Sequence, residues 1–283
     1  MIIKEILCRS VLTRAGGYLA QVVSHSLNPY VGCGFGRSSC GVACYVQFNP
    51  WIIQSRQWGR FVDVKVNADE VYRKTAGTER AWAQKRGVPF SVFLSSSTDP
   101  WQPVEQKYHV TRKILFSMID DPPDTLILQT HTDRIVDDLE CILELSRLCT
   151  LRVHISIEGD RESLPGLPPP PCSLENRLQA LALFSKSGIV TVACLSPLYP
   201  LKNPDLFFQS LARAGVGAVI LDHFILGDGT ADGNRTLKTE LPKAMAELDK
   251  ESVLLSYRDR IADIARKYLP VGVSADGFAG KFT

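Results

Sequence analysis

Cys33, Cys40 and Cys44 fall within twelve positions of a 283-residue chain that carries eight cysteines. Glycine and serine dominate the residues between them, in Gly32-Cys33-Gly34-Phe35-Gly36-Arg37-Ser38-Ser39-Cys40-Gly41-Val42-Ala43-Cys44, so the backbone is free to curl around something small. Thiolates are soft ligands, and three on one flexible loop suit an iron–sulfur cluster or a zinc ion. Three is one fewer than a closed structural site uses. The set therefore either leaves one metal corner open to another molecule or takes a fourth ligand, such as His25 or another cysteine. Cys8, Cys141, Cys149, Cys172 and Cys194 lack ligand spacing and read as small core hydrophobes.

Further polar groups collect where apolar runs end. Ser95 to Glu105 follows the run at 90–96. There Thr98 and Asp99 have the groups to accept hydrogen bonds from an ammonium, or Asp99 and Glu105 simply favour the start of the next helix. His131 closes the next run as an acid–base candidate or a structural histidine. In His154-Ile155-Ser156-Ile157-Glu158, alternation puts His154 and Ser156 on one face, and Glu158 is placed to join Ser156. The planar fork of Arg177 suits a carboxylate, with an ion pair to Glu175 or Glu158 as the plainer reading. Pro197 and Pro200 hold a turn open at low entropic cost. Asp222-His223-Phe224 ends the last run and could wall a substrate.

Asn28-Pro29-Tyr30-Val31-Gly32-Cys33, closing in Cys44-Tyr45, resembles the cluster loop of radical S-adenosylmethionine (SAM) enzymes, in the branch related to spore photoproduct lyase. Thr98-Asp99-Pro100-Trp101-Gln102-Pro103-Val104-Glu105 resembles that branch's motif after the second strand, and Val66–Asp69 and Thr111–Leu115 resemble its flanking segments. The resemblance implies a [4Fe–4S] cluster on Cys33, Cys40 and Cys44, with SAM on the free iron. It implies an electron from a flavodoxin- or ferredoxin-like donor, cleavage of SAM to a 5′-deoxyadenosyl radical, and hydrogen abstraction from a substrate, small-molecule or otherwise, that the sequence does not name. It also implies SAM contacts for Tyr45, Thr98, Asp99, Ser156, Glu158, Arg177 and the turn at Pro197. The cysteine spacing is six residues then three, where the family has three then two. Thr130 stands where many relatives have lysine, and Ser96 where photoproduct lyases carry a hydrogen-donating cysteine, which argues against photoproduct repair. Three readings stay open: a radical SAM enzyme of lyase or transferase type, a non-catalytic protein with a structural zinc or iron–sulfur site, and radical-based repair or modification of nucleic acid.

Composition narrows the setting. At 45% hydrophobic the chain has enough apolar material for a full core. A net charge of +2 at pH 7 supplies no basic field for nucleic acid, and Arg56, Arg60, Arg73, Lys74 and Arg80 read as a solvated surface. Trp51 and Trp58 read as core. The eight cysteines have no secretory context for disulfides. Met1 to Leu7 is too short and charged for a signal core, and no apolar run reaches ~18 residues. A cytoplasmic protein without membrane contact is expected.

The elements that must position these groups follow from periodicity. Residues 18–25 and 61–66 predict strands flanking the cysteine loop, and Asn67 an N-cap. Apolar runs at 90–96, 125–130, 151–157, 189–195 and 217–224 alternate with helical stretches at 106–119, 133–148, 174–187 and 204–214. That rhythm predicts repeated β–α units and a parallel sheet buried on both faces. About six strands fit a partial (β/α)6 TIM-type barrel, the fold that the resemblance also implies. Residues 1–225 are expected to form the barrel core and 226–283 a helical extension packed on it, with two helices over 239–269 and no assignment beyond 271.

Overall fold

A computed structural model describes residues 1–283. Eleven strands form two sheets: β1 (Ile2–Ile6), β2 (Leu12–Arg14), β3 (His25–Leu27), β4 (Tyr30–Val31), β5 (Phe61–Lys65), β6 (Ser91–Leu94), β7 (Thr125–Thr130), β8 (Thr150–Ser156), β9 (Val190–Leu195), β10 (Ala218–Leu221) and β11 (Val271–Val273). The larger sheet has eight strands in the order β11-β10-β9-β8-β7-β6-β3-β2. Its neighbours run parallel except β2 and β3, which are antiparallel. A separate three-stranded sheet, β1-β5-β4, carries the entry to the cysteine loop.

Strand alternation sorts the side chains into two cores. On one face Leu94, Leu126, Leu128, Val153, Ile155, Leu195 and Val219 join the helices in a cluster of 49 buried residues. On the other, Phe93, Ile127, Val192, Cys194, Ala218 and Ile220 form a smaller core of eight, closed by Val23 and Phe278. Burial on both faces is why the runs read as continuous apolar stretches.

Several boundaries follow local rules. Ser173 accepts from the Asn176 amide at the start of helix Leu174–Lys186, and Asn203 from Leu206 at the start of Pro204–Arg213. Asn67 precedes helix Ala68–Gln84 but makes no cap bond, because its side chain is held by the backbone N–H and carbonyl of Cys8. The helix expected over 106–119 is broken at His109, in the left-handed region at φ 51°. Residues 18–25 were expected as a strand, yet Gly17–Gln21 is a 3-10 turn and pairing begins at His25.

The count of about six strands is corrected to eight. The two extra strands, β2 and β11, have three residues each, too short to give a periodic signal; β3, also of three, is the strand expected over 18–25, displaced to His25–Leu27. Residues 226–283 supply helices Leu241–Leu248 and Leu255–Ala265, and also β11, which pairs with β10 inside the main sheet. No helix is long and apolar enough to cross a membrane.

Candidate active site

The cysteine loop is built on close backbone approaches. Gly32 sits at φ +86° with the Phe61 carbonyl oxygen 2.4 Å from where a Cβ would stand. A Cβ on Gly41 would lie 2.0 Å from the Phe35 oxygen, so only glycine fits there. Cys40 lies in the helical turn Ser39–Ala43, whose Ser39 amide donates to Pro169 at 3.0 Å. The proline-rich bend thus braces the loop from outside.

All eight cysteines are free thiols. Cys33 is buried, and Cys40 and Cys44 are partly buried. Burial, then the Asp99 carboxylate, pushes the Cys33 thiol up to about 12, against amide N–H groups of Phe35 and Asp99. Burial raises Cys44 to about 11, and burial followed by the neighbouring Cys33 raises Cys40 well above the ordinary thiol range. No three His, Cys, Asp or Glu side chains are drawn up as a ready ligand set for a single ion. The donor chemistry nevertheless fits an iron–sulfur group: three soft thiols outside any disulfide, close enough to influence one another, in a glycine-walled cradle. His25 is not a fourth ligand. Its ring is fully buried, with Nδ1 at 2.9 Å from Ser24 Oγ and Nε2 at 3.0 Å from Glu79.

The loop after β6 clamps the cysteine loop. Register pairs Leu27 with Leu94, which brings Asn28 beside Ser95. Asn28 Oδ1 then accepts from Ser95 Oγ at 2.6 Å and from the amides of Ser96 and Ser97 at 3.1 and 2.9 Å. Thr98 Oγ1 donates to the Gly32 carbonyl at 2.6 Å and accepts from Gln102 Nε2 at 2.8 Å. Gln102 Oε1 in turn accepts from the Gly34 amide at 2.6 Å. Thr98, read from the sequence as a SAM contact, is occupied with the loop itself. Asn28 and Gln102 carry the clamp, and both stood in the quoted motifs without an assigned role. Glu105 accepts from the Thr111 and Arg112 amides and from the Tyr30 hydroxyl, capping helix Val110–Asp120. Arg112 pairs with buried Asp138, which also accepts from Trp101 Nε1.

A polar ring lies at the carboxyl ends of β7 and β8. Asp99 accepts from Thr130 Oγ1 at 2.9 Å and from the His131 amide at 2.8 Å. The His131 ring stands between Asp99 and Glu158, at 3.5 and 3.6 Å. Arg177 is 1% exposed and donates to Glu158 at 2.6 Å and to the Ser156 carbonyl at 2.7 Å. Burial disfavours its charge, but the Glu158 carboxylate outweighs that and raises its pKa. Ser156 Oγ accepts from Gln129 at 2.8 Å. The turn at Pro197 is pinned on both sides, with the Leu198 amide on the Asp222 carbonyl and the Tyr199 amide on the Glu158 carbonyl, each at 2.8 Å. Tyr45 is half-buried; burial raises its pKa, with Cys44 and Asp222 adding to the effect.

The structure therefore gathers Asp99, Ser156, Glu158 and Arg177 into one network and joins Thr98 to the cysteine loop. Tyr45 and Pro197 border it on the Asp222 side. Sequence reasoning passed over Tyr18 and gave Asp222 only a place in a substrate wall. Asp222 is buried, with its pKa raised first by burial, and accepts from Ser274 Oγ at 2.7 Å. The Tyr18 hydroxyl, both His154 ring nitrogens and Glu158 Oε1 are buried polar atoms without partners. Such atoms are uncommon in a finished core. Trp51, expected in the core, is 86% exposed.

No protein-family model matches the chain. An uncharacterized protein of Methanocaldococcus jannaschii is 25% identical over 175 residues, 62% of this chain and 60% of that one. An uncharacterized protein of Mycobacterium tuberculosis is 26% identical over 228 residues, 76% of this chain and 63% of that one. The chain thus spans about three fifths of the length of these curated relatives. Among solved structures it is similar to spore photoproduct lyase. A mutant with bound AdoMet and dinucleoside spore photoproduct matches over 96% of this chain and 81% of that one, with a TM-score of 0.64 and 15% identity. A second mutant, with the dinucleoside alone, matches at a TM-score of 0.66. At that identity the likeness is one of fold.

Proposed function

We propose that the protein is a radical SAM enzyme on a partial-barrel scaffold, its core built by residues 1–225 and completed by β11 and Phe278 from 226–283. One observation carries the reading. The two motifs that resemble the family are 66–70 positions apart and bond directly, Thr98 to Gly32 and Gly34 to Gln102. Cys33, Cys40 and Cys44 would hold a [4Fe–4S] cluster, which with SAM on its open iron supplies a 5′-deoxyadenosyl radical.

The chain's own residues supply placement. Asp99 keeps its carboxylate fixed by Thr130 and the His131 amide, beside the thiol loop. Glu158, fixed by Arg177, keeps Oε1 without a hydrogen bond, 3.6 Å from the His131 ring, which suits a hydroxyl or ammonium donor on SAM. The small inner core excludes water below this ring, and exclusion of competing reactions is the protein's part in such chemistry. Ser96 bonds Asn28 at 3.2 Å; a serine O–H is a poor hydrogen-atom donor, so a substrate other than the spore photoproduct is favoured.

Anaerobic reconstitution with iron and sulfide, followed by electron paramagnetic resonance with and without SAM, tests the proposal. About four irons per chain and a SAM-dependent spectrum are the expected result. Zinc alone, or a spectrum indifferent to SAM, would overturn it.

A further inference from the structure

Between Glu5 and Asp63 the chain has no aspartate or glutamate, yet it carries five arginines, Arg9, Arg14, Arg37, Arg56 and Arg60. Arg14 is paired with Glu79 and Arg56 with Asp63. Arg37 and Arg60 are exposed and have no carboxylate within ion-pair distance. Together with Gly36, Val42, Gln57 and Trp58 they line a cleft of about 370 Å³. Its wall is the cysteine loop itself: Gly36 and Arg37 lie between Cys33 and Cys40, and Val42 between Cys40 and Cys44.

The cleft adjoins the backbone of the loop that carries the thiols. Gly36 packs on Gly59 so closely that a Cβ would come within 2.2 Å of the Gly59 Cα. Trp58 lies along the loop and donates its ring N–H to the Gly41 carbonyl at 3.0 Å. Trp51, on the adjoining helical turn, is 86% exposed. Unpaired arginines around tryptophan match the composition of a protein interface.

We propose that this cleft is the docking surface for a small acidic electron carrier of the flavodoxin type. The inference rests on the radical SAM reading and extends it by assigning the partner a face. One electron leaves the carrier's reduced flavin and is gained by the iron–sulfur group, with no atom transferred. A carboxylate-rich rim on the carrier meets Arg37 and Arg60, which lack internal partners, so the complex forms without breaking an existing ion pair.

The test uses the full reconstituted chain and a purified flavodoxin, with affinity measured at low and high salt and the rate of reduction by flavodoxin compared with that by dithionite. R37E/R60E is expected to weaken flavodoxin affinity by roughly tenfold or more, while iron content and dithionite reduction stay at the wild-type level. R37K/R60K, which keeps both charges, and R147E, a charge reversal on an exposed helix elsewhere, are expected to bind as wild type. High salt should weaken the wild-type complex and leave R37E/R60E little changed. Wild-type affinity in R37E/R60E with iron intact would overturn this inference alone, as would tighter binding of a single-stranded oligonucleotide than of flavodoxin at these arginines. A chain that takes up no iron would overturn the functional reading and the carrier with it.

Discussion

The cysteine loop and the polar ring beside it are built on opposite plans. In the ring each charge already has its complement: Arg177 has Glu158, and Asp99 has Thr130 and the His131 amide. In the loop the backbone is braced by Thr98, Gln102 and glycine contacts, but the three thiols are raised first by burial. The ring's charges are held largely by its own residues, with one Glu158 oxygen left over, whereas the loop is a shaped frame that carries three free thiols. Binding a metal group there releases protons, so affinity and pH are linked.

The strongest way to break this contrast is to remove a thiol. Cys33→Ala, Cys40→Ala or Cys44→Ala should each cut iron affinity by more than about 100-fold, since losing even an outer-shell partner of a metal ligand costs 10–100-fold. Urea unfolding of the metal-free protein should change by only about 1 kcal/mol. Iron titration and apo-protein melts on the same samples would refute the contrast if both fell together.

Arg177→Met should do the reverse. It leaves Glu158 buried without its cation, and breaking such a pair costs about 3–5 kcal/mol. Chemical denaturation should report that loss while iron uptake by the surviving fold is retained. A change below about 1 kcal/mol would mean that water compensates Glu158.

Gly41→Ala sharpens the comparison, because it touches only the frame. The added methyl meets the Phe35 carbonyl at 2.0 Å, and overpacking of this kind costs about 1–3 kcal/mol. Iron uptake should fall with all three thiols present; unchanged uptake would show that the cradle gives way freely.

The effect of pH near neutrality is the smallest expected, and it grows only in alkali. Buried thiols titrating at about 11 and 12 stay protonated after the unfolded chain's thiols, near 8.5, have ionised. The unfolded state then binds fewer protons, so apo-protein stability should decline as pH rises from about 9 toward 11. Melting curves should show that slope shallower in a Cys33→Ser/Cys44→Ser variant. An equal slope in both would place the titration elsewhere.

Legibility in the sequence followed the length of the local signal. The runs that became β7, β8 and β9 were readable because six or seven residues buried on both faces leave a continuous apolar stretch. Ser173 and Asn203 cap their helices by a rule that acts within three residues. The three-residue strands β2 and β11 were not readable, since a strand that short is defined by its neighbour and not by its own composition. Asn67 shows the limit of local rules, its side chain being drawn to Cys8 across the small sheet.

For the site, the sequence by itself determined the inventory: three thiols on a glycine-rich loop, a Thr-Asp-Pro motif after a strand, and an arginine on the helix after Glu158. Residue type and spacing fix which chemistry is available, and both are written in the chain. Only the tertiary structure decided the assignments. It spent Thr98 and Gln102 on the loop, gave Arg177 to Glu158, sent His25 to Glu79, and left Tyr18, His154 and one Glu158 oxygen without partners. A hydrogen bond is settled by distance in space, and the partners that mattered here lie about 20 to 70 positions apart, set by strand register that no single segment encodes.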